Sequence, residues 1–500
     1  MTVELPVVPH HIGGEALTGE RLIDVINPAS GAAIRRLSLG GATTVARAID
    51  AARAAHPAWR DTPPAKRAQV MFRFKMLLER DAEAICQVIS EEHGKVLEDA
   101  MGELKRGIEN VDYACGVAEL LKGEYSHNAG PEIDTWSNHQ PLGIVAGITP
   151  FNFPAMVPLW MYPMAIACGN AFILKPSEQV PSAAIKMAEL LEEAGLPAGI
   201  FNVVHGDREA VEALIDAPDV RALSFVGSTP VARAIYRRGA EQGKRVQALG
   251  GAKNHAVVLP DADLDNAANT LIGAAFGSAG ERCMAISVAV CVGDTTADAL
   301  VEKLAGQARD LKIGSGTERG LDMGALINAS HRDKVAGYLE QGVASGAELL
   351  VDGREHPLVA ASPGYFLGAS LFDRVTPEMS IYRDEIFGPV LCVVRVESFE
   401  DAIALINAHQ YGNGTCLFTG DGEAARRFAD SIEVGMVGIN VPLPVPVAFH
   451  SFGGWKESLF GDLHAYGPDA VRFYTRRKAI SQRWPKPQQR DGAEFSFPSN

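Results

Sequence analysis

Several things missing from this 500-residue chain narrow what it can do. Its seven cysteines, at 86, 115, 168, 283, 291, 392 and 416, include no C-x-x-C, and no histidines stand at ligand spacing. Neither a disulfide framework nor a metal site is therefore expected. MTVELPVVPHHIGGE carries no basic, apolar leader. With unpaired cysteines, that makes the cytoplasm the expected compartment. Positive charge is in deficit, with a net charge of −15. No nucleic acid and no anionic membrane is expected as a partner, because phosphate binding needs clustered cations. The dinucleotide fingerprint G-x-G-x-x-G is absent. One long apolar run, PAMVPLWMYPMAIACGNAFIL (154–174), contains three prolines, Gly169 and Asn170. It reads as a buried helix followed by a buried strand, not as a membrane span.

A hydrophobic content of 47% with 21% charged residues is that of a globular protein. The length predicts two or three domains. A turn-rich opening of short strands gives way to helix from Thr43. Leu97, Met101, Leu104, Ile108, Val111 and Cys115 recur at alternating spacings of four and three, an amphipathic stripe. The polar segment 123–138 interrupts it. Apolar strands then alternate with helices: GIVAGI (143–148), AFILK (171–175), IFNVV (200–204), ALSFV (222–226) and RVQAL (245–249). A helix over 182–194 ends at Gly195. A second series runs from HAVVL (255–259) through SVAVCV (287–292), a helix near 296–311, and PVLCVVRV (389–396). This is an α/β pattern, a parallel sheet covered on both faces.

Loops that follow such strands are where ligands bind. TPFNFP (149–154) follows the first strand, although Asn152 bonding its own turn is an equally good reading. KPSE (175–178) follows the second, where a carboxylate could hold ribose hydroxyls or merely be solvated. FVGSTPVARAI (225–235) leads from strand into helix, presenting free N–H groups to a phosphate. EIFGPV (385–390) and SFGGWKES (451–458) have little specificity alone. GSAGERCMAI (277–286) places Cys283 behind small residues and beside Arg282. Buried cysteine is usually a small hydrophobe, but a neighbouring cation can lower a thiol's pKa and make it a nucleophile.

TPFNFP, KPSE, FVGST, ALGG, ERC and EIFGPV in this order, with NPASG (27–31) near the start, resemble the aldehyde dehydrogenase superfamily over nearly the whole chain. The resemblance implies a parallel-sheet cofactor domain (1–120 and 140–250) and a second α/β catalytic domain (251–445). It also implies a small β oligomerisation hairpin from 121–139 with 478–500, and hence a homo-oligomer, dimer or tetramer. It implies Cys283 as nucleophile and Asn152 as oxyanion donor. Thr149, Phe151, Lys175, Glu178, Gln179, Ser228, Gly250 and Glu385 would cradle NAD, with Phe387 beside the nicotinamide.

Departures from the family pattern carry more information. The usual Glu-Leu-Gly-Gly-Lys around the general base becomes Ala248-Leu249-Gly250-Gly251-Ala252, and Leu463 stands where many members have a second glutamate. Gly-Gln-x-Cys becomes Gly280-Glu281-Arg282-Cys283, and Ala232 replaces the second glycine of the phosphate turn. With KRGIENV (105–111), this looks like the CoA-acylating methylmalonate-semialdehyde dehydrogenase branch. Arg106 and Arg282 are then candidates to hold a substrate carboxylate, Arg282 also lowering the pKa of the thiol. Arg106 falls opposite the apolar stripe of its helix, where a solvated arginine is the default. A thioester on Cys283 must be cleared, and Ala248 supplies no base to activate water, whereas the thiol of CoA needs little help. Two other readings stand beside this one. One is a hydrolytic enzyme with a substitute base such as Glu281; the other is a non-catalytic protein that kept the fold, against which the Asn152 and Cys283 pair speaks.

Overall fold

The strand Ile144–Ile148, sequence IVAGI, is buried at every position, as a strand covered on both faces must be. It lies at the centre of an eight-stranded sheet in this computed structural model, which describes residues 4–19 and 21–484. Ala171–Lys175 and Phe201–Val203 extend the sheet to one side in parallel. Val220–Val226 and Arg245–Leu249 extend it to the other, also in parallel. The chain thus leaves the central strand in both directions, which opens a crevice beyond its carboxyl end. His10–Ile12 and Glu15–Leu17 close one edge antiparallel, and Leu459–Phe460 the other.

The apolar run after Pro154 forms the helix Met156–Ala167, buried all round, and then the strand Ala171–Lys175. A helix apolar on every side belongs inside a core. Among the described residues no helix is long and apolar enough to cross a membrane. The stripe beginning at Leu97 becomes the helix Leu97–Cys115, which packs on Met156–Ala167.

A second, seven-stranded sheet is built outward from Asn254–Val258. Ile286–Val292, Val390–Val396 and Ser370–Asp373 lie to one side, and Gly414–Phe418 and Met436–Ile439 to the other, all parallel. Only Glu348–Val351, on the outer edge, is antiparallel. Each sheet has its own apolar core. After Met436–Ile439 the chain returns to the first core, where Phe452, Tyr466 and Phe473 are buried.

The polar segment after Gly123 is a pair of strands, Tyr125–Gly130 and Ile133–Pro141, joined by Thr475–Arg483 in a third sheet. Thr475 faces Pro141 and Arg483 faces Ile133 across an unbroken antiparallel register. The outer strands are mostly exposed and Ile133–Pro141 between them is half-buried, and none shows apolar alternation. Of the segment 478–500 expected here, residues 485–500 lie outside the described residues.

Candidate active site

Cys283 sits between the helix Leu264–Phe276 and the strand Ile286–Val292, just after a left-handed turn. Ser278, Ala279 and Gly280 have φ of 52°, 53° and 73°. A Cβ on Gly280 would lie 2.1 Å from the Gly388 carbonyl oxygen, so only glycine fits where this turn meets the EIFGPV loop. Phe387, on that loop, also has a positive φ of 60°. Left-handed backbone at non-glycine residues persists only where the surroundings enforce it, and it clusters at functional sites. Of the seven cysteines, Cys283 alone keeps partial exposure, while its thiol is still largely enclosed by protein.

Asn152 is held from both ends. Its Nδ2 donates to the Glu281 carbonyl at 3.0 Å, and its own carbonyl accepts from Lys95 Nζ at 2.5 Å. Lys95 pairs at 2.8 Å with Glu103, and both are fully enclosed. Glu103 also accepts the Ala155 and Met156 N–H groups that open the buried helix. A carboxamide nitrogen carries two hydrogens, so Asn152 keeps a second donor.

A cavity of about 250 Å³ is lined by Cys283, Arg282, Arg106, Phe153 and Trp160, with Glu98, Asp99 and Glu103 on one wall. Arg282 Nη2 lies 2.5 Å from Asp99 Oδ1. Arg106 donates to Glu109 and to the carbonyls of Val445 and Pro446, at 2.6, 3.0 and 2.7 Å. It is therefore not the solvated arginine that the apolar stripe suggested. The same helix bears a second, polar stripe, Asp99, Glu103, Arg106 and Asn110, again spaced four, three, four. That spacing could have revealed Asp99 and Glu103, which the sequence reading missed. Glu103 and Asn110 are buried, so the face opposite the apolar stripe is interior too.

The thiol does not titrate as Arg282 alone would suggest. Burial pushes Cys283 up to about 12, the negative charge of Glu385 adds to this, and Arg282 only partly opposes it. Glu281, considered as a substitute base, points away from the cavity. It is fully buried, its Oε1 accepts from the Ile327 N–H at 3.1 Å, and its Oε2 lies 3.7 Å from His93 Nε2. Ala248 is completely enclosed within Arg245–Leu249, and Leu463 packs on the first core. Of the lining carboxylates, Asp99 and Glu103 are bound to cations, and Glu98 is exposed.

On the other side of the thiol, Glu385 Oε1 accepts from the Ala252 N–H at 2.9 Å, and burial raises its carboxyl to about 7. The Phe387 ring meets Phe151 edge-on at 6.0 Å between centroids. Arg282, Glu385 and Phe387 share a narrow crevice, so the thiol loop and the EIFGPV loop are in contact. Thr149 Oγ1 is buried without a hydrogen-bond partner. Lys175 Nζ lies 3.0 Å from Glu178 Oε2, and Gln179 Oε1 accepts from Asn328 Nδ2 at 2.6 Å. Lys175, Glu178 and Gln179 are not part of the thiol cavity. Ser228 precedes the helix Thr229–Glu241, exposed and making no side-chain cap of its own. A Cβ on Gly250 would come within 2.6 Å of the Glu457 carbonyl oxygen, which accounts for glycine there.

Two switch-point sheets with a thiol at a strained turn between their loops are a dehydrogenase-like arrangement, and the chain belongs to the aldehyde dehydrogenase family, whose sequence pattern matches residues 15–480. It is 68% identical to a malonate-semialdehyde dehydrogenase of Pseudomonas aeruginosa, over 98% of this chain and 99% of that one. A malonate-semialdehyde dehydrogenase of Geobacillus kaustophilus is 48% identical over 96% and 98% of the two chains. Among solved structures, methylmalonate-semialdehyde dehydrogenase from Oceanimonas doudoroffii superposes with a TM-score of 0.95 at 62% identity, over 96% of this chain and 99% of that one. A Sinorhizobium meliloti protein described as a methylmalonate-semialdehyde dehydrogenase, complexed with NAD, gives 0.96 at 50% identity, covering 97% and 99%.

Proposed function

We propose that the protein is an NAD-dependent, CoA-acylating semialdehyde dehydrogenase. It converts methylmalonate or malonate semialdehyde to propionyl-CoA or acetyl-CoA with loss of CO2. The names of its relatives support the substrate class. The observation that carries the reading is the make-up of the thiol cavity. Two guanidinium groups line it, and no enclosed carboxylate there is free to act as a base.

The residues present fit NAD. Thr149 has a hydroxyl in need of a partner, and Ser228 heads a helix whose first N–H groups suit a phosphate, with Gly250 packed against the first residue of that helix. The Lys175–Glu178 pair suits ribose hydroxyls, as does Glu385. When bound, NAD accepts the hydride. Cys283, its proton passed to solvent at the partly exposed thiol, attacks the aldehyde carbon. The carbonyl electrons move onto oxygen, where the second N–H of Asn152 and the Cys283 N–H stabilise them. Departure of the hydride restores the carbonyl as a thioester on Cys283. Arg106 and Arg282 retain donors beyond those already used and hold the substrate carboxylate. Breaking the C–C bond to that carboxylate releases CO2, and the resulting enolate takes up a proton. Attack by the CoA thiolate then forms acyl-CoA and expels the Cys283 thiolate.

The same reading divides the chain into a cofactor domain (1–120, 140–250) and a catalytic domain (251–445). It gives the exposed third sheet the role of joining copies into a dimer or tetramer, and the free cysteines fit a cytoplasmic setting. The test is NADH formation from malonate semialdehyde with and without CoA. Without CoA, a burst of about one NADH per site should precede a slow phase that CoA accelerates, because base assistance worth ~10²–10⁴ is missing. Fast steady turnover to a free acid without CoA would establish the hydrolytic reading instead.

A further inference from the structure

Three consecutive residues leading into the strand Asn254–Val258 each hold part of the site. The Ala252 N–H bonds Glu385 Oε1 at 2.9 Å. Lys253 is 3% exposed, and its Nζ donates to the carbonyls of Ile381 and Asp384 at 2.7 and 2.8 Å. It thereby grips the backbone just ahead of Glu385. Asn254 turns the other way: its Nδ2 donates to the carbonyls of Cys283 and Ala285, each at 2.9 Å. Its Oδ1 accepts from the Gly414 N–H at 2.9 Å, so its rotamer is locked. Asn413 Nδ2 adds a second bond to the Cys283 carbonyl at 3.0 Å.

Both loops held in this way are strained, with positive φ at Phe387 on one and at Ser278 and Ala279 on the other. Strained backbone relaxes when its restraints are removed, and buried carbonyls deprived of donors drive that relaxation. The anchor leads into a strand inside the sheet: Asn254 pairs with Ile286, and from His255 onward the strand is paired on both sides, a rigid base. Hydride transfer needs its reacting atoms aligned within a fraction of an ångström.

We propose that Lys253 and Asn254 are positioning residues: from adjacent points at the head of one strand they set the separation between the cofactor loop (Glu385, Phe387) and the Cys283 thiol. The inference rests on the reading above, in which Glu385 holds the cofactor and Cys283 is the nucleophile. Lys253 governs the cofactor side and Asn254 the thiol side.

The experiment compares Lys253→Met and Asn254→Ala in the full-length protein by NAD affinity, cofactor-free alkylation of the thiol, and the rate of the NADH burst. Lys253→Met should weaken NAD binding roughly tenfold while alkylation stays within about twofold of wild type. Asn254→Ala should show the reverse, with alkylation changed several-fold and NAD affinity kept. Both should slow the burst, by roughly tenfold or more. Asn413→Ala, which leaves the Asn254 anchor in place, should repeat the Asn254→Ala pattern at smaller amplitude, and it decides the matter if Asn254→Ala does not fold. If either variant shifts NAD affinity and alkylation alike, or shifts neither, the division of labour is overturned. Cys283→Ala separates this from the underlying reading: persistent NADH formation in that variant would sink the nucleophile assignment, whatever Lys253 does.

Discussion

Arg282, the residue directly before the thiol, is neutralised by Asp99: Nη2 and Oδ1 stand 2.5 Å apart, and both side chains are largely enclosed. Asp99 also accepts from the Ser278 N–H and hydroxyl, so one carboxylate binds the arginine and the strained turn together. The cation beside Cys283 is therefore compensated, and burial governs the thiol.

From this follows the pH profile of the resting protein. A thiol pushed up to about 12 is protonated at neutral pH, and its thiolate fraction grows with pH. Alkylation of Cys283 without cofactor should rise about tenfold per pH unit from roughly pH 7 to 10, with no plateau. Asp99→Asn exposes the charge of Arg282 and should speed alkylation at a fixed pH. A wild-type plateau below about pH 8 would contradict the account.

The two arginines of the cavity should act on acidic substrates selectively. Arg106→Leu and Arg282→Leu should each raise KM for malonate semialdehyde roughly tenfold or more, and for propanal much less. An equal loss on both substrates would show that the arginines serve the fold, through Val445 and Pro446 or through Asp99.

Cofactor choice depends on Glu178. Its carboxylate, 3.0 Å from Lys175, suits two ribose hydroxyls and repels a 2′-phosphate. NAD should be preferred over NADP, and Glu178→Gln should narrow the ratio of kcat/KM values. Equal wild-type values for the two cofactors would remove Glu178 from this role.

Glu385 makes cofactor binding depend on pH near neutrality. Burial raises its carboxyl from the ordinary value to about 7, so it is increasingly protonated as pH falls below that point. Ionised, it offers acceptors on both oxygens, whereas protonation turns one oxygen into a donor and weakens its hold on two hydroxyls. KM for NAD should therefore rise as pH falls through 7, and Glu385→Gln should flatten the profile at a higher KM. A wild-type KM constant between about pH 6 and 8 is the contrary result.

Much of this protein is legible along the chain because its signals are local. The strand after Leu142, the buried helix after Pro154 and the strand that follows it are declared by apolar runs and their punctuation. The order of short loop motifs is enough to place the chain in its family. Cys283 is picked out by glycine and serine before it and an apolar strand after it. What the thiol and the arginines do electrically is a different matter. The partner of Arg282 lies 183 residues away, and the carbonyls that hold Arg106 lie 339 and 340 residues away. Charge and desolvation depend on distance in space, which no local pattern encodes. Glu281 looks like a base when it stands two places before a cysteine, and only the folded chain turns it towards the Ile327 N–H and His93. Lys253 and Asn254 read as an unremarkable polar pair at the head of a strand. Tertiary structure alone decides that one grips the cofactor loop and the other the thiol loop, because the carbonyls they bind lie 128 and 131 residues away for Lys253 and 29 and 31 for Asn254.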